Sequence, residues 1–124
     1  MKTILIAEDN ATNRELLTEI LEGWGYQVKH ASNGLEVFAA MESAFPDLIL
    51  VDIQMPEMDG YGVVKRLRRS PRFGKIPVIA LTAYAMQGDR EKALAKGFDG
   101  YITKPIDLDS LRRQIEVFCD PRAK

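Results

Sequence analysis

Asp47-Leu48-Ile49-Leu50-Val51-Asp52 decides how the chain folds. Four apolar residues stand between two carboxylates, after Pro46 and shortly before Met55-Pro56. The run is too short for a helix of its own and fits a strand buried on both faces. Asp52 then lies at the carboxyl end of a central strand. That is the edge at which open α/β sheets bind ligands.

Working outward, Thr3–Ala7 is another short apolar run, and it ends in Glu8-Asp9-Asn10. Thr12-Asn13-Arg14-Glu15 has the form of a capping box. Leu16, Leu17, Ile20, Leu21 and Trp24 follow at helical spacing until Gly23 or Gly25. Gln27–Ala31 alternates as an edge strand. Asn33-Gly34-Leu35-Glu36 opens a second helix with Val37, Phe38 and Met41 inward, closed by Phe45-Pro46. Beyond Asp52, Asp59-Gly60 opens a third helix that stops at Ser70-Pro71. Val63, Val64 and Leu67 face inward there, and Lys65, Arg66, Arg68 and Arg69 outward.

Pro77–Thr82 is the fourth strand and Gly100–Thr103 the fifth. Between them Gln87–Lys96 is a weak amphipath, with Ala93 and Leu94 its best apolar residues and Gly97 as its stop. So thin an apolar face predicts a loosely held helix. Asp107 caps a last helix striped by Leu108, Leu111, Ile115 and Phe118. Five strands alternating with five helices predict a doubly wound α/β domain over residues 1–124, with a parallel sheet and helices on both faces. The polar tail from Asp120 is expected to fray.

Composition narrows the function. The chain has 124 residues, 46% hydrophobic and 28% charged, with a net charge of −1. That balance carries no footprint for nucleic acid. One cysteine, Cys119, forms no internal disulfide and suits a reducing compartment. Ile4–Ala7 is too short for a signal peptide, and no run approaches membrane-spanning length. The expected location is the cytoplasm, with no membrane partner.

The strand ends supply chemistry. Strand one offers Glu8 and Asp9, strand three Asp52, strand four Thr82 and strand five Lys104-Pro105. In a parallel sheet these ends share one edge. Converging carboxylates repel and resist ionisation unless positive charge offsets them. Lys104 supplies one charge, and a hard divalent cation held by carboxylate oxygens supplies two. Metal, carboxylates, hydroxyl and lysine together suit a phosphoryl group, with Asp52 as the nucleophile. Glu8 and Asp9 would hold the metal; Thr82 and Lys104 would meet phosphoryl oxygens.

With Glu8-Asp9-Asn10, Asp52, Met55-Pro56, Asp59-Gly60, Thr82-Ala83 and Lys104-Pro105 in this order, the chain resembles the receiver domain of two-component response regulators. The likeness runs from Lys2 to Phe118 and is to the stand-alone type. It implies a flavodoxin-like sheet of order 2-1-3-4-5. It implies a phosphorylation switch that takes its phosphoryl group on Asp52 from a sensor histidine kinase or a histidine phosphotransfer protein. Such a domain assists its own phosphorylation and dephosphorylation but is not a metabolic enzyme. The resemblance assigns Mg²⁺ (or Mn²⁺) to Asp9, Asp52 and the backbone carbonyl of Gln54, with Glu8 acting through water. It makes Lys104–Pro105 a cis peptide. Thr82 turns toward the phosphoryl group, Tyr101 moves inward, and the surface of the fourth helix, fifth strand and fifth helix changes to bind a downstream protein, as monomer or phosphorylation-dependent dimer. Gln54 and Tyr84 flank the path of the hydrolytic water and tune phosphoryl lifetime. Thr82–Asp89 looks like receivers of hybrid kinases and cell-cycle regulators.

Read singly, these residues are ordinary: helix-start acids, a strand-end cap, a β-branched strand residue, a solvated lysine. The basic run Lys65–Arg72 reads as a solvated helix face, His30 as a lone strand histidine, and Cys119 as a small apolar residue. A phosphohydrolase of the haloacid dehalogenase type would want a second Asp two residues after Asp52, where Gln54 stands. A pseudo-receiver that only binds has no use for the intact acid set. A flavodoxin-like nucleotide binder would carry a Gly-rich loop where Glu8-Asp9-Asn10-Ala11 stands.

Overall fold

The computed structural model describes residues 2–43, 45–55, 58–83 and 86–119. Tyr84, Pro56 and the tail from Asp120 lie outside them. The elements alternate as β1 (Thr3–Ala7), α1 (Ala11–Gly23), β2 (Gln27–Ala31), α2 (Gly34–Ser43), β3 (Leu48–Asp52), α3 (Gly60–Arg69), β4 (Val78–Thr82), α4 (Asp89–Ala95), β5 (Gly100–Thr103) and α5 (Leu108–Cys119). All four strand pairings are parallel and the sheet order is β2-β1-β3-β4-β5. Every residue of β3 and β4 is buried, as central strands covered on both faces require.

Period-two alternation sorts the core into two layers. Leu5, Ala7, Ile49, Val51, Val78 and Ala80 point to one face, with Val37, Met41, Val63, Val64, Leu67 and Ala93 from α2, α3 and α4. Ile4, Ile6, Leu48, Leu50, Ile79, Leu81 and Ile102 point to the other, against Leu17, Leu21, Leu111, Ile115 and Cys119 from α1 and α5. Burial pushes the Cys119 thiol up to about 11, in keeping with an apolar packing role. Among the described residues no helix is long and apolar enough to cross a membrane.

Four local expectations need correction. First, α1 begins at Ala11, not after Thr12. Asn10 is the cap, its side chain accepting from the Asn13 N–H at 2.9 Å. Asn is a strong N-cap, and it wins over the Thr12 box. Second, Leu16 and Leu108 are 55% and 46% exposed and do not belong to the core stripes. Third, Leu94 of α4 sits at the surface, and Ala93 alone of that helix is buried.

Fourth, Arg68 is not a solvated face residue. Its guanidinium donates to the carbonyls of Gly97 (2.9 and 2.7 Å), Gly74 (2.9 Å) and Ile76 (2.8 Å), and it pairs with Asp99 at 2.6 Å. Asp99 in turn accepts from the Val78 N–H. Five N–H donors in a rigid fork suit a loop crossing with several orphan carbonyls. Gly97 has φ +116°, a conformation that side chains resist, and it brings its carbonyl under Arg68.

Candidate functional site at the carboxyl edge

The strand order reverses between β1 and β3, so their carboxyl ends flank the topological switch point. Ala7 pairs with Val51, which sets Glu8-Asp9 beside Asp52. Asp52 shares the parity of Leu48 and Leu50 and therefore opens toward the α1–α5 side. Glu8 is fully buried, Asp52 is 4% exposed, and Asp9 is exposed. One oxygen of each of these three carboxylates lies within 4.8 Å of the others.

Lys104 closes the cluster from β5. Its Nζ donates to Glu8 Oε1 at 2.6 Å and to Asp52 Oδ2 at 2.9 Å. Its backbone N–H donates to the Thr82 carbonyl at 2.8 Å, and the following Lys104–Pro105 peptide is cis. Burial holds the Glu8 carboxyl above its ordinary range, and neighbouring Asp52 adds to this, while Lys104 pulls it back. Burial works against the Lys104 ammonium. Hydrogen bonds and charge from Glu8 and Asp52 outweigh it and hold the lysine pKa above its usual value.

Three carboxylates against one ammonium leave negative charge to be neutralised. Oxygen donors of this hardness fit Mg²⁺ or a similar divalent cation. Asp9, Asp52 and, through a neighbouring position, Glu8 are the residues that would hold it.

The loops are braced from below. Arg14, one turn into α1, donates to the Glu8 carbonyl at 2.8 Å and the Asp9 carbonyl at 3.4 Å. Sequence reasoning placed Arg14 only in a capping box. A basic residue five or six positions after an acid pair was the available signal. Past β3, the Gln54 N–H donates to Asp52 Oδ1 at 2.9 Å, and the Gly60 N–H closes the loop onto the Ile53 carbonyl. Asp59 caps α3 by accepting from Gly62, the structural task expected of it. At Gly34 a Cβ would fall onto the Met58 carbonyl, so α2 and this loop approach through the missing side chain.

Thr82, at the end of β4 and 2% exposed, donates to the Gln54 side-chain carbonyl at 3.1 Å. Glu8, Asp9, Asp52, Gln54, Thr82 and Lys104 are thus brought together. Tyr101 stands apart, half-buried against the α2–α4 core layer. Its hydroxyl is enclosed and has no hydrogen-bond partner among the described residues. Burial first, then Asp89, Tyr61 and Glu91, hold its pKa above the ordinary tyrosine value.

Beside the acid cluster, a cavity of about 400 Å³ opens between α1 and the start of α5. Leu16, Leu17, Ile20, Pro105, Ile106 and Leu108 line it, with Glu8 and Lys104 at its end. The exposed leucines that left the predicted core stripes belong to this cleft.

Comparison with known proteins gives a consistent outcome. The response regulator receiver domain matches residues 4–116. The chain is 43% identical over 107 residues to the polar-differentiation response regulator DivK of Brucella anthropi, covering 86% of this chain and 87% of that one. It is 41% identical over 116 residues to an uncharacterized 14.6 kDa protein of Leptolyngbya boryana, covering 94% and 88%. The receiver domain of a signal transduction histidine kinase from Syntrophus aciditrophicus superposes with a TM-score of 0.89 at 39% identity, over 98% of this chain and 92% of that one. The receiver domain of a sensor histidine kinase from Pseudomonas aeruginosa, with a magnesium ion coordinated in its active-site cleft, superposes at 0.86 and 34% identity, over 95% and 97%.

Proposed function

The chain belongs to the response regulator receiver domain family of two-component signalling, and on that premise we propose that it is a switch phosphorylated on Asp52. One observation carries the reading. Asp52 lies within 4.8 Å of two further carboxylates and accepts a hydrogen bond from Lys104. A nucleophile among acids needs that ammonium and a cation to meet an anionic donor.

The donor is a phosphohistidine on a sensor kinase or phosphotransfer protein. Its phosphorus–nitrogen bond breaks, the electron pair leaves with the imidazole, and a phosphorus–oxygen bond to Asp52 forms. Mg²⁺, when bound by Asp9, Asp52 and the Gln54 backbone carbonyl with Glu8 behind, supplies charge neutralisation for the transferring group. Gln54 orients Asp52 through its backbone N–H, and Arg14 holds the Glu8-Asp9 peptides. Lys104 loses its contact with Asp52 as the carboxylate becomes an acyl phosphate and turns to a phosphoryl oxygen. The apolar cleft between α1 and α5 ends at Glu8 and Lys104, which suits it to seat the donor protein beside the acceptor.

Output runs through α4, β5 and α5. Thr82 follows the phosphoryl group, and α4 is the helix with the least to hold it: one buried residue and no side-chain cap bond. Tyr101 already has its hydroxyl enclosed. Its part in the switch therefore starts from an inward position against the core layer of α2–α4. The domain works as a switch that assists its own phosphorylation and dephosphorylation, not as a turnover enzyme.

Incubation with a small acyl-phosphate donor and Mg²⁺, followed by mass spectrometry, tests the reading. Wild type gains one phosphoryl group on Asp52. Equal labelling of Asp52→Asn would overturn the assignment.

A further inference from the structure

We propose that Gln54 is a positioning residue that latches Thr82 in the resting state, so that phosphorylation must break the Gln54–Thr82 hydrogen bond before the switch is thrown. The inference rests on the reading of Asp52 as phosphoacceptor and assigns to Gln54 a task separate from the hydrolytic water.

Gln54 touches both ends of the switch. Its backbone N–H donates to Asp52 Oδ1 at 2.9 Å, and its side-chain Oε1 accepts from Thr82 Oγ1 at 3.1 Å. Alternation explains the reach. Thr82 shares the parity of Val78 and Ala80 and leaves β4 on the α2–α4 side, whereas Asp52 leaves β3 on the α1–α5 side. At rest the Thr82 hydroxyl donates to the Gln54 side-chain carbonyl. A hydroxyl carries one proton and donates it to one acceptor at a time. The Gln54 carbonyl and a phosphoryl oxygen on Asp52 thus compete for the same donor.

A competitor of this kind sets the resting equilibrium. A ligand that needs the Thr82 proton loses affinity by the population the latch withholds. Gln54 is exposed, so its neutral hydrogen bond sits at the weak end of such bonds, and its removal shifts that population by about 2- to 5-fold.

The experiment is a double-mutant cycle on the intact chain. Beryllofluoride with Mg²⁺, a tetrahedral phosphoryl mimic, is titrated while the amide and methyl signals are followed by NMR. Gln54→Ala is expected to lower the half-saturating concentration by about 2- to 5-fold, both with Thr82 and in Thr82→Ser, which keeps the hydroxyl. In Thr82→Val the same substitution is expected to change nothing. A second readout needs neither metal nor mimic: the Thr82 hydroxyl proton is expected to exchange with water faster in Gln54→Ala than in wild type. An equal Gln54→Ala effect in Thr82→Val, or unchanged hydroxyl exchange, would overturn the latch. Acyl-phosphate labelling of wild type in parallel separates the two failures. A labelled Asp52 with no coupling in the cycle sinks the latch alone, and an unlabelled Asp52 sinks the phosphoacceptor reading beneath it.

Discussion

Helices α3 and α4 lie side by side on one face of the sheet and are held in opposite ways. Gly60, Val63, Val64 and Leu67 of α3 are buried, Asp59 caps its start, and Arg66, Arg68 and Arg69 occupy its last turn, where the helix dipole favours cations. In α4 only Ala93 is buried, and its N-cap is Gly88 at φ +87° with no side-chain bond. Its other end is held by a residue of α3: Arg68 grips Gly97 and Asp99 just beyond α4. A helix anchored at one end and thinly packed along its length is a low-stability element next to a rigid one. The rigid helix begins in the loop after Asp52, and the loose one begins shortly after Thr82. The contrast therefore separates a fixed element rooted beside Asp52 from a loosely held one beyond Thr82.

The contrast is tested most strongly in the α3 core. Leu67→Ala is expected to cost about 2–5 kcal/mol in urea unfolding, because Leu67 is fully buried and its neighbours collapse only partly. A loss below about 1 kcal/mol, no more than a surface change costs, would remove the claim that α3 is the fixed partner. Next comes the shared anchor. Arg68→Ala leaves three carbonyls and Asp99 without their donor and should cost roughly 2–3 kcal/mol. Arg68→Lys keeps the charge but not the fork and should recover less than half. Full recovery would mean that charge alone holds α4.

Amide exchange comes next. Backbone amides of α4 should open at least about tenfold more often than those of α3, a difference near 1.4 kcal/mol. Equal protection would merge the two helices into one unit.

Smaller again is a pH effect at their seam, where Tyr61 and Tyr101 are half-buried. Burial, then Asp89 and Asp59 for Tyr61, and burial, then Asp89, Tyr61 and Glu91 for Tyr101, hold both phenols above the ordinary tyrosine pKa of 10.0. The folded state keeps these protons longer than the unfolded chain. Stability is therefore intact below the unfolded pKa and is lost as pH rises from there through the raised folded pKa. Ultraviolet titration should show late phenolate formation, and α4 signals should shift before those of α3. The smallest effect belongs to Leu94→Ala on the α4 surface, within about 0.5 kcal/mol by the same urea measurement.

Much of this is legible in the sequence. The short apolar runs of β1, β3 and β4 end where those strands end, because a strand covered on both faces must be apolar until it meets solvent. Glu8, Asp9, Asp52, Thr82 and Lys104 could be listed as strand-end residues for the same reason. The thin apolar face of α4 was also visible, since it depends only on composition at helical spacing. Arg68 departs from its expected place because Arg on a helix surface looks the same in sequence whether it meets water or three backbone carbonyls. Leu16 and Leu108 were misread because a stripe predicts a face but not whether another element covers its edge. Asn10 displaced Thr12 as a cap because two adjacent capping signals compete, and local geometry at the end of β1 chose between them.

By itself, then, the sequence determined the order of the elements, the parallel sheet and the acids at its carboxyl edge. These follow from burial period and from where polarity interrupts it, both local properties of the chain. Only the tertiary structure decided that Lys104 bridges Glu8 and Asp52, that Arg68 ties α3 to the end of α4, and that Gln54 holds Thr82. Each of these contacts joins residues far apart in sequence or on opposite faces of the sheet. Their existence depends on register and parity across strands, which no single segment encodes.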